Sequence, residues 1–350
     1  MFTHIPLTKE DYLKMSRLRI AINGFGRIGR TFTRVAQNYP EIEIIAINDL
    51  AEAPNLAHLL KYDSVHGRFN GVVDSLQNEI IIDGTPVKVF NEKDPSRLPW
   101  REMKIDYVIE ATGHFKSRKQ AQKHIDAGAR SVIISAPADD AETKSIVIGV
   151  NDHLLTKDDI IVSNASCTTN SAAPLIKVLS ENWGIQEAYI STVHSYTSDQ
   201  RLHDAPQKDW RRGRSASESI VPTTTGAAKA LTKIFPHLEG HIGGAGIRVP
   251  VPNGSLTDLT CMLKEDTEVH EINDAFKAAS NGSLKGILEY TTDPIVSRDI
   301  IDNPHSSIFD AQLTSVLGKM IKVVSWYDNE WGYSNRLADL VFKMNQLSKG

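Results

Sequence analysis

The chain has 350 residues, enough for about two domains of ordinary size. Its 39 Lys and Arg residues against 43 Asp and Glu residues give a formal net charge of −4, which argues against nucleic acid or an anionic membrane as a partner. No run approaches the roughly 18 apolar residues of a membrane span. Two cysteines, Cys167 and Cys261, argue against a disulfide framework or a cysteine-based zinc site and are typical of a reducing compartment.

Residues 1–17 are predicted to form an extension that precedes the fold. The segment carries scattered charges and no apolar stretch of signal-peptide length. We therefore expect a loosely ordered tail and a cytoplasmic protein. The sequence indicates no role for the extension.

Predicted strands and helices alternate in the first half of the chain. It opens with an apolar strand at Leu18–Asn23, then a glycine-rich turn, a helix near 27–38 and a second apolar strand over 43–48. Further strands are predicted over 79–82, 86–90, 107–110, 131–135 and 146–149, with a helix over 118–127. This order predicts a doubly wound α/β fold with a parallel sheet.

The second half of the chain has longer predicted strands. The pattern predicts helices over 167–181, 227–234 and 330–348, and strands over 187–194, 246–251, 255–263 and 319–327. The polar stretch 199–219 is predicted to be a functional loop. We expect an α+β domain with a mixed, mainly antiparallel sheet.

The turn after the first strand reads GFGRIG over 24–29, which is a GxGxxG pattern. It follows a strand and opens a helix, the context that a dinucleotide-binding motif requires. Gly24 permits the tight turn, Gly26 lets the backbone approach a pyrophosphate, and Gly29 lets helix and strand pack closely. The pattern predicts a Rossmann-type dinucleotide site, with helix N–H groups binding the phosphates.

Asp49 lies twenty residues after Gly29, at the end of the second predicted strand. An acid at this place accepts hydrogen bonds from the adenosine ribose hydroxyls and repels a 2′-phosphate. No Arg or Lys adjoins it in residues 48–51. The sequence therefore favours NAD over NADP as the cofactor.

Cys167 lies among small polar residues where a predicted strand gives way to a helix. A helix N-terminus stabilises a thiolate and offers N–H groups to a developing oxyanion. A lone cysteine is more often a buried filler of the core, and that alternative stays open on local grounds, although Ser166 and Thr168 are not typical core residues. Cys261, inside an apolar strand, is predicted to serve packing alone.

His194 differs from the other eleven histidines because it ends a predicted strand and starts a polar run. A histidine at that position could form an ion pair with Cys167 and act as its general base. A purely structural histidine remains the alternative.

Seven segments together resemble the phosphorylating glyceraldehyde-3-phosphate dehydrogenase family in order and spacing, over about residues 18–350. They read INGFGRIGR, SNASCTTN, HSYT, WRRGRSAS, TTTGAAKA, RVP and WYDNEWGYSN. The resemblance implies that glyceraldehyde 3-phosphate is oxidised to 1,3-bisphosphoglycerate with NAD and inorganic phosphate. Cys167 would attack the aldehyde to give a thiohemiacetal and His194 would take the proton. Hydride transfer would leave a thioester that phosphate cleaves.

The resemblance also implies two phosphate sites and further cofactor contacts. The substrate phosphate would be bound by Thr197, Asp199 and Arg248. The attacking phosphate would be bound by Ser166, Thr168, Arg212, Thr225 and Gly226, with Arg211 and Arg214 as open alternatives to Arg212. Besides the glycines and Asp49, the cofactor would contact Arg27, Ile28, Lys93, Ser135 and Asn329. Asn329 would hold the nicotinamide amide.

Four positions depart from the common pattern of the family. Ser171 replaces a frequent second cysteine, so we expect no oxidation by a nearby resolving thiol. Ala205 and Pro206 weaken the inference of NAD selectivity that rests on Asp49. Lys93 stands where arginine is frequent.

The domain prediction is an extension over 1–17, an NAD-binding domain over 18–166 completed by a C-terminal helix over 330–350, and a catalytic domain over 167–329. The resemblance implies a homotetramer in glycolysis or gluconeogenesis, with no nucleic-acid or membrane partner and no metal. An erythrose-4-phosphate dehydrogenase is the alternative enzyme, although the intact TTTG segment over 223–226 argues against it. A non-catalytic NAD-binding or adhesion protein is the alternative of another class.

Overall fold

The computed structural model describes residues 17–349, so the predicted extension lies almost wholly outside the described residues. The strands are β1 (Leu18–Asn23), β2 (Ile42–Asn48), β3 (Tyr62–Asp63), β4 (Gly67–Arg68), β5 (Val73–Leu76), β6 (Glu79–Ile82), β7 (Thr85–Phe90), β8 (Tyr107–Glu110), β9 (Ser131–Ile134), β10 (Lys144–Ser145), β11 (Ile161–Ser163), β12 (Ile185–Ser195), β13 (Val221–Thr223), β14 (Ile242–Val249), β15 (Ser255–Leu263), β16 (Leu288–Thr291), β17 (Ser307–Asp310), β18 (Ser315–Leu317) and β19 (Met320–Tyr327). The helices are α1 (Arg27–Ala36), α2 (Ala53–Lys61), α3 (Arg118–Asp126), α4 (Cys167–Asn182), α5 (Ala227–Ile234), α6 (Val269–Asn281) and α7 (Trp331–Lys349).

The described chain forms two compact units. The first contains residues up to 143 together with 158–162, and the second contains 144–157 together with the residues from 163 onward. The predicted domain boundaries, and the assignment of the closing helix to the NAD-binding domain, stay predictions. Between residues 17 and 349, no helix is long and apolar enough to cross a membrane.

The first unit is built on a sheet with the strand order β11-β9-β8-β1-β2-β7-β6-β5. Its central pairs, from β9 to β7, are parallel, and β6 and β5 add an antiparallel extension. The central strands are buried on both faces, which explains their nearly unbroken apolar sequences. The register pairs Asn23 with Asn48 and with Glu110, so three polar side chains meet at the carboxyl edge of the sheet.

The second unit is built on a mixed sheet with the order β13-β14-β12-β15-β19-β17-β16, and β18 pairs with β19. Most of its pairs are antiparallel, while β12 runs parallel to β14 and β16 runs parallel to β17. Helix α4 contributes Leu175, Ile176 and Leu179 to the apolar core beneath this sheet. The predicted fold class, a doubly wound parallel sheet plus an α+β part with a mixed sheet, is confirmed.

One predicted strand is wrong. Residues 146–149 form an irregular turn rather than a strand. The Asn151 side chain accepts a hydrogen bond from the Val147 N–H at 2.7 Å, and Asp152 accepts one from the Gly149 N–H at 3.0 Å. Gly149 has a φ of +82°. These side chains capture N–H groups that a strand would need for its partner.

Candidate active site

Cys167 is the first residue of α4, and a specific local conformation places it there. Ala165 adopts a left-handed backbone with φ +54°, and Ser166 caps the helix by accepting a hydrogen bond from the Thr169 N–H at 3.0 Å. Asn170 donates to the carbonyls of Asn164 and Ser166 at 2.8 and 3.0 Å. The loop is thereby fixed, and the partly buried thiol lies at the positive end of the helix dipole.

His194 lies beside this thiol. Its Nε2 is 3.4 Å from Cys167 Sγ, and its Nδ1 is 2.8 Å from the Ser195 carbonyl oxygen. The tautomer that carries its proton on Nδ1, donated to that carbonyl, would leave Nε2 free to accept the thiol proton, whereas the tautomer with the proton on Nε2 would not. The sequence prediction that Cys167 and His194 meet therefore agrees with the geometry.

Arg248 adds a positive charge to the pair because β14 runs parallel to β12 in a register that sets it opposite His194. Its guanidinium donates to the Ser195 carbonyl at 2.9 Å and lies 2.7 Å from His194 Nδ1, so Nδ1 either accepts from Arg248 or donates to the carbonyl, and only the second leaves Nε2 without a proton. Burial, together with this cation, lowers the pKa of His194 from 6.5 to about 3. Burial raises the pKa of the Cys167 thiol, while Arg248 opposes that rise.

These directions bear on the charge state of the pair. The sequence analysis raises an ion pair between Cys167 and His194, whereas burial of both groups favours the uncharged thiol and imidazole, and the ion pair stays a prediction. An anion bound at Arg248 would cancel part of the cation's effect on His194. The site is therefore arranged so that a bound phosphate would make His194 a better base.

Tyr327 is a part of the site that sequence reasoning missed. Its buried hydroxyl lies 3.0 Å from Thr168 Oγ1 and 2.8 Å from Thr192 Oγ1, and its ring meets that of His194 edge-on with centroids 5.9 Å apart. Burial raises the pKa of this phenol. The two threonines are 159 and 135 residues away in sequence, so no local pattern could have joined them to the tyrosine.

Three predicted phosphate-binding residues form a polar cluster in the loop 199–219 and its flank. Asp199 accepts hydrogen bonds from Thr197 Oγ1 and from the Arg212 guanidinium. Arg212 also donates to Thr223 Oγ1 at 2.9 Å. The charges of Asp199 and Arg212 both act on the pKa of His194, so the cluster lies within electrostatic reach of the Cys167 pair.

The observed contacts of the other predicted phosphate ligands are with neighbouring groups of the protein and do not define a common binding site. Ser166 and Thr168 use their hydroxyls within the protein, toward Thr169 and Tyr327. Thr225 accepts a hydrogen bond from the Ala227 N–H at 3.2 Å, and Gly226 is the N-cap of α5. Their role as phosphate ligands stays a prediction.

The side-chain amide oxygen of Asn329 accepts three hydrogen bonds. Its Oδ1 accepts hydrogen bonds from Ser195 Oγ at 2.9 Å, Ser255 Oγ at 2.8 Å and the Gly254 N–H at 3.2 Å. The orientation of the amide is therefore fixed. Its nitrogen is the group left to donate to a ligand carbonyl.

The glycine-rich turn of the first unit fits a dinucleotide. Gly24 has φ +91°, and a Cβ there would lie 2.6 Å from the Thr112 nitrogen. A Cβ on Gly29 would lie 2.4 Å from the Gly24 carbonyl oxygen, whereas a Cβ on Gly26 would meet no atom within 4 Å. The first and third glycines therefore permit close packing, and the second leaves an open surface at the start of α1, as a pyrophosphate requires.

A pocket of about 380 Å³ opens beside this turn. It is lined by Asn23, Gly24, Gly26, Asn48, Asp49, Leu50, Glu92, Lys93, Ala111, Thr112, His114 and Phe115. Asp49 accepts hydrogen bonds from the Phe25 N–H at 2.7 Å and the Ala51 N–H at 3.0 Å, which hold its carboxylate at the pocket wall. The volume and the mixed lining suit a nucleoside.

The remaining predicted cofactor residues have distinct surroundings. Arg27 pairs with Asp63 at 2.5 Å, and this pair helps to lower the pKa of Asp63, against the effect of burial, to about 2. Ile28 follows it in α1 and is half-buried. Ser135 Oγ is buried without a hydrogen-bond partner among the described residues, which marks it as a group that a ligand could satisfy.

Two family models match the chain. They describe the NAD binding domain of glyceraldehyde 3-phosphate dehydrogenase, over residues 18–118, and the C-terminal domain of the same enzyme, over residues 166–329. Curated proteins named glyceraldehyde-3-phosphate dehydrogenase are similar over nearly the whole chain. The relative from Geobacillus stearothermophilus is 53% identical over 325 residues, which cover 92% of this chain and 97% of the relative. The relative from Thermotoga maritima is 53% identical over 332 residues, which cover 93% and 99%.

Proposed function

Because the chain belongs to the glyceraldehyde 3-phosphate dehydrogenase family, we propose that Cys167 and His194 carry the oxidation and phosphorylation of glyceraldehyde 3-phosphate in it. The observation that carries the proposal is the 3.4 Å approach of His194 Nε2 to Cys167 Sγ at the N-terminus of α4. A thiol, a base and helix N–H groups are the three elements that covalent catalysis on a carbonyl requires.

In the first step, Cys167 Sγ attacks the aldehyde carbon while its proton passes to His194 Nε2. The carbonyl oxygen then takes this proton from His194 and becomes the hydroxyl of a thiohemiacetal, which returns His194 to its uncharged form, while N–H groups at the start of α4 lie close to the developing charge. His194 starts this step uncharged, since its pKa of about 3 lies far below neutral pH. It can therefore act as a base without first losing a proton.

In the second step, His194 takes the hydroxyl proton of the thiohemiacetal as the C–H bond breaks. Bound NAD supplies the acceptor for the hydride that leaves this carbon. The product on Cys167 is a thioester, which retains the free energy of the oxidation. A phosphate oxygen then attacks the thioester carbonyl and the C–S bond breaks. The acyl phosphate is released, and Cys167 leaves the acyl group as a thiolate.

The charges of the site support the two phosphate positions of this scheme. Arg248 and Thr197 would bind the substrate phosphate, with Asp199 beside them. The attacking phosphate would be bound by Ser166, Thr168, Arg212, Thr225 and Gly226. Guanidinium groups, hydroxyls and backbone N–H groups are suitable donors to phosphate oxygens. Asp199 already pairs with Arg212, so it would orient that cation rather than bind an anion directly.

For the cofactor, the proposal assigns the pyrophosphate to Gly24, Gly26 and the start of α1, and the adenosine ribose to Asp49. Asn329 would donate its amide nitrogen to the nicotinamide carboxamide. Arg27, Ile28, Gly29, Lys93 and Ser135 complete the proposed set. The open surface at Gly26 supports it, as does the Ser135 hydroxyl, which has no hydrogen-bond partner among residues 17–349.

We also propose that the chain acts in the cytoplasm as a homotetramer. Exposed apolar side chains in and beside the loop 199–219 support assembly, since Trp210 is 88% exposed and Leu202 and Ile220 are each 69% exposed. Sedimentation of the purified protein at several concentrations would test this, and a monomer at all of them would refute it.

The test of function is the initial rate of NADH formation from glyceraldehyde 3-phosphate. We expect a rate that requires inorganic phosphate and is higher with NAD than with NADP. Turnover that is independent of phosphate, or that is faster with erythrose 4-phosphate, would favour the erythrose-4-phosphate enzyme. NAD binding without any turnover would favour a non-catalytic protein.

A further inference from the structure

The first unit contains a buried pair of ionisable side chains that the proposed mechanism does not use. Glu110, the last residue of β8, and His124 in α3 are both almost fully buried, and Nε2 of His124 is 3.1 Å from Glu110 Oε2. Trp100, also buried, lies on the far side with its Nε1 at 3.0 Å from His124 Nδ1. Burying a carboxyl group costs free energy unless each oxygen has a hydrogen-bond partner. The buried position of this pair therefore suggests a specific role.

The hydrogen bonds around His124 fix its tautomer. An indole N–H can only donate, so His124 Nδ1 must accept from Trp100. In the neutral ring the proton then lies on Nε2, which donates to Glu110. The ring is therefore held from both sides and directs a single donor at the carboxyl group.

The remaining hydrogen bonds of Glu110 are made with residues that line the nucleotide pocket. Its Oε1 accepts from the Thr112 N–H at 2.9 Å and from Thr112 Oγ1 at 2.5 Å, and its Oε2 accepts from Asn23 Nδ2 at 2.5 Å. Asn23 in turn accepts from Asn48 Nδ2 at 2.7 Å, and Asn48 is tied to the backbone of Glu92. Every residue at the outer end of this network lines the pocket.

Two further contacts join the pair to the cofactor site. The Thr112 nitrogen that Glu110 holds is the atom against which Gly24 packs, at a distance that leaves no room for a Cβ. The ring of His124 also meets Phe115, another lining residue, edge-on with centroids 6.4 Å apart. The pair therefore reaches the glycine-rich turn, the polar wall and the aromatic wall of the pocket.

We propose that Glu110 and His124 are positioning residues for the dinucleotide, which hold Asn23, Thr112 and Phe115 in the arrangement that binds the adenosine half of NAD. This inference rests on the proposed function, because it takes the pocket beside Gly24 as the NAD site. It assigns the pair no contact with the cofactor and no proton transfer. Its effect is on the affinity for NAD rather than on the reaction at Cys167.

The experiment measures the dissociation constant of NAD by calorimetry on the full-length protein, with the melting temperature recorded for each variant. Glu110→Gln replaces one accepting oxygen by a donor, so two of the surrounding donors lose their partner. We expect the dissociation constant to rise about tenfold, as for loss of hydrogen bonds to a charged group. The Michaelis constant for NAD should rise with it, while that for glyceraldehyde 3-phosphate stays unchanged.

A pair of His124 variants keeps the proposal testable if Glu110→Gln does not fold. His124→Leu removes the His124 donor from Glu110 and should also raise the dissociation constant about tenfold. His124→Gln can both accept from Trp100 and donate to Glu110, so its constant should stay within about threefold of the wild type. Equal weakening by the two substitutions would overturn the proposal.

Asp106→Asn is the matched control, since Asp106 accepts a hydrogen bond from the Arg19 N–H at 2.9 Å just before β8, at the opposite edge of the same sheet. It should lower the melting temperature and leave NAD binding unchanged. A dissociation constant that follows the melting temperature in all variants, or that does not change in Glu110→Gln, would overturn the inference alone. Failure of the wild-type chain to bind NAD would instead overturn the proposed function.

Discussion

The two cysteines of the chain are both affected by burial, but their surroundings differ. Burial raises the pKa of both thiols, to about 12 for Cys261. Cys261 lies within β15, paired with Ala188 on one side and Ile321 on the other, inside the apolar core. Within the part of the chain that the structure describes, burial is the only influence on its pKa, so nothing there favours a thiolate. Cys167 has a helix N-terminus, a base and a cation beside it.

The two environments indicate that the predicted reactivity of Cys167 would depend on the groups that oppose the effect of burial on its pKa. Arg248 and hydrogen bonds from Thr168 lower the pKa of Cys167 against the effect of burial. A partly exposed thiol at a helix N-terminus is also open to a substrate, whereas Cys261 is 2% exposed.

The largest effect is expected from Cys167→Ser. A serine hydroxyl is a far weaker nucleophile at neutral pH, so kcat should fall by a factor of about 10³ or more. Initial-rate measurement of NADH formation checks this. Cys261→Val is the matched control, since it keeps a small apolar side chain in the core, and it should leave kcat unchanged and cost less than about 1.5 kcal/mol of stability. Near-native activity in Cys167→Ser would contradict the assignment of the nucleophile.

The second prediction removes the cation that distinguishes the two thiols. Arg248→Met should raise the pKa of Cys167 further and slow its alkylation by iodoacetamide at pH 7, because less thiolate is present. It should also lower kcat/KM for glyceraldehyde 3-phosphate about a hundredfold, the loss expected for a charged hydrogen-bonding partner. Mass spectrometry of the alkylated peptides follows both cysteines. An unchanged alkylation rate at Cys167 would show that Arg248 does not lower the pKa of this thiol.

Local sequence predicted the parts of the molecule that are locally determined. The spacing of Gly24, Gly26 and Gly29 is set by steric contacts within one turn, and the polar flanks of Cys167 are the cap of its own helix. Both could therefore be predicted from short stretches. The strand predicted over 146–149 was wrong because side chains beyond its end capture its N–H groups.

The remaining parts of the site depend on sheet register. Arg248 reaches His194 because of the pairing of β12 with β14, and resemblance to a family suggested its role, whereas periodicity did not. Tyr327 and the Glu110–His124 pair have partners at large sequence separation, so no local pattern distinguishes them from ordinary core residues. A buried titratable group is recognised as functional only when its neighbours are known.

The third prediction concerns pH and follows from His194. The folded protein lowers the pKa of His194 from 6.5 to about 3, so the unfolded chain binds one proton more between these values. The stability that this group supports is fully present above pH 6.5 and is lost as the pH falls toward 3. The loss attributable to it should approach about 1.4 kcal/mol per pH unit below 6.5.

Chemical denaturation at a series of pH values checks this, with His194→Asn as the comparison. That variant should have a flatter dependence of stability on pH between 6.5 and 4. Parallel profiles for the two proteins would show that folding does not lower the pKa of His194, as expected if it forms an ion pair with Cys167. The measurement thus decides between the uncharged pair and the ion pair.

The smallest effect is expected from Tyr327→Phe. The substitution keeps the ring that meets His194 and removes the hydroxyl that Thr168 and Thr192 share, which should cost about 1 kcal/mol of stability. Thr168 follows Cys167 in the first turn of α4, and its hydrogen bonds help to lower the pKa of the thiol. A released Thr168 should therefore change the rate of Cys167 alkylation by less than about tenfold, with no effect on Cys261. A fall in kcat/KM for glyceraldehyde 3-phosphate as large as that expected for Arg248→Met would mean that the hydroxyl of Tyr327 contacts the substrate. The hydroxyl would then do more than orient the helix turn that carries the nucleophile.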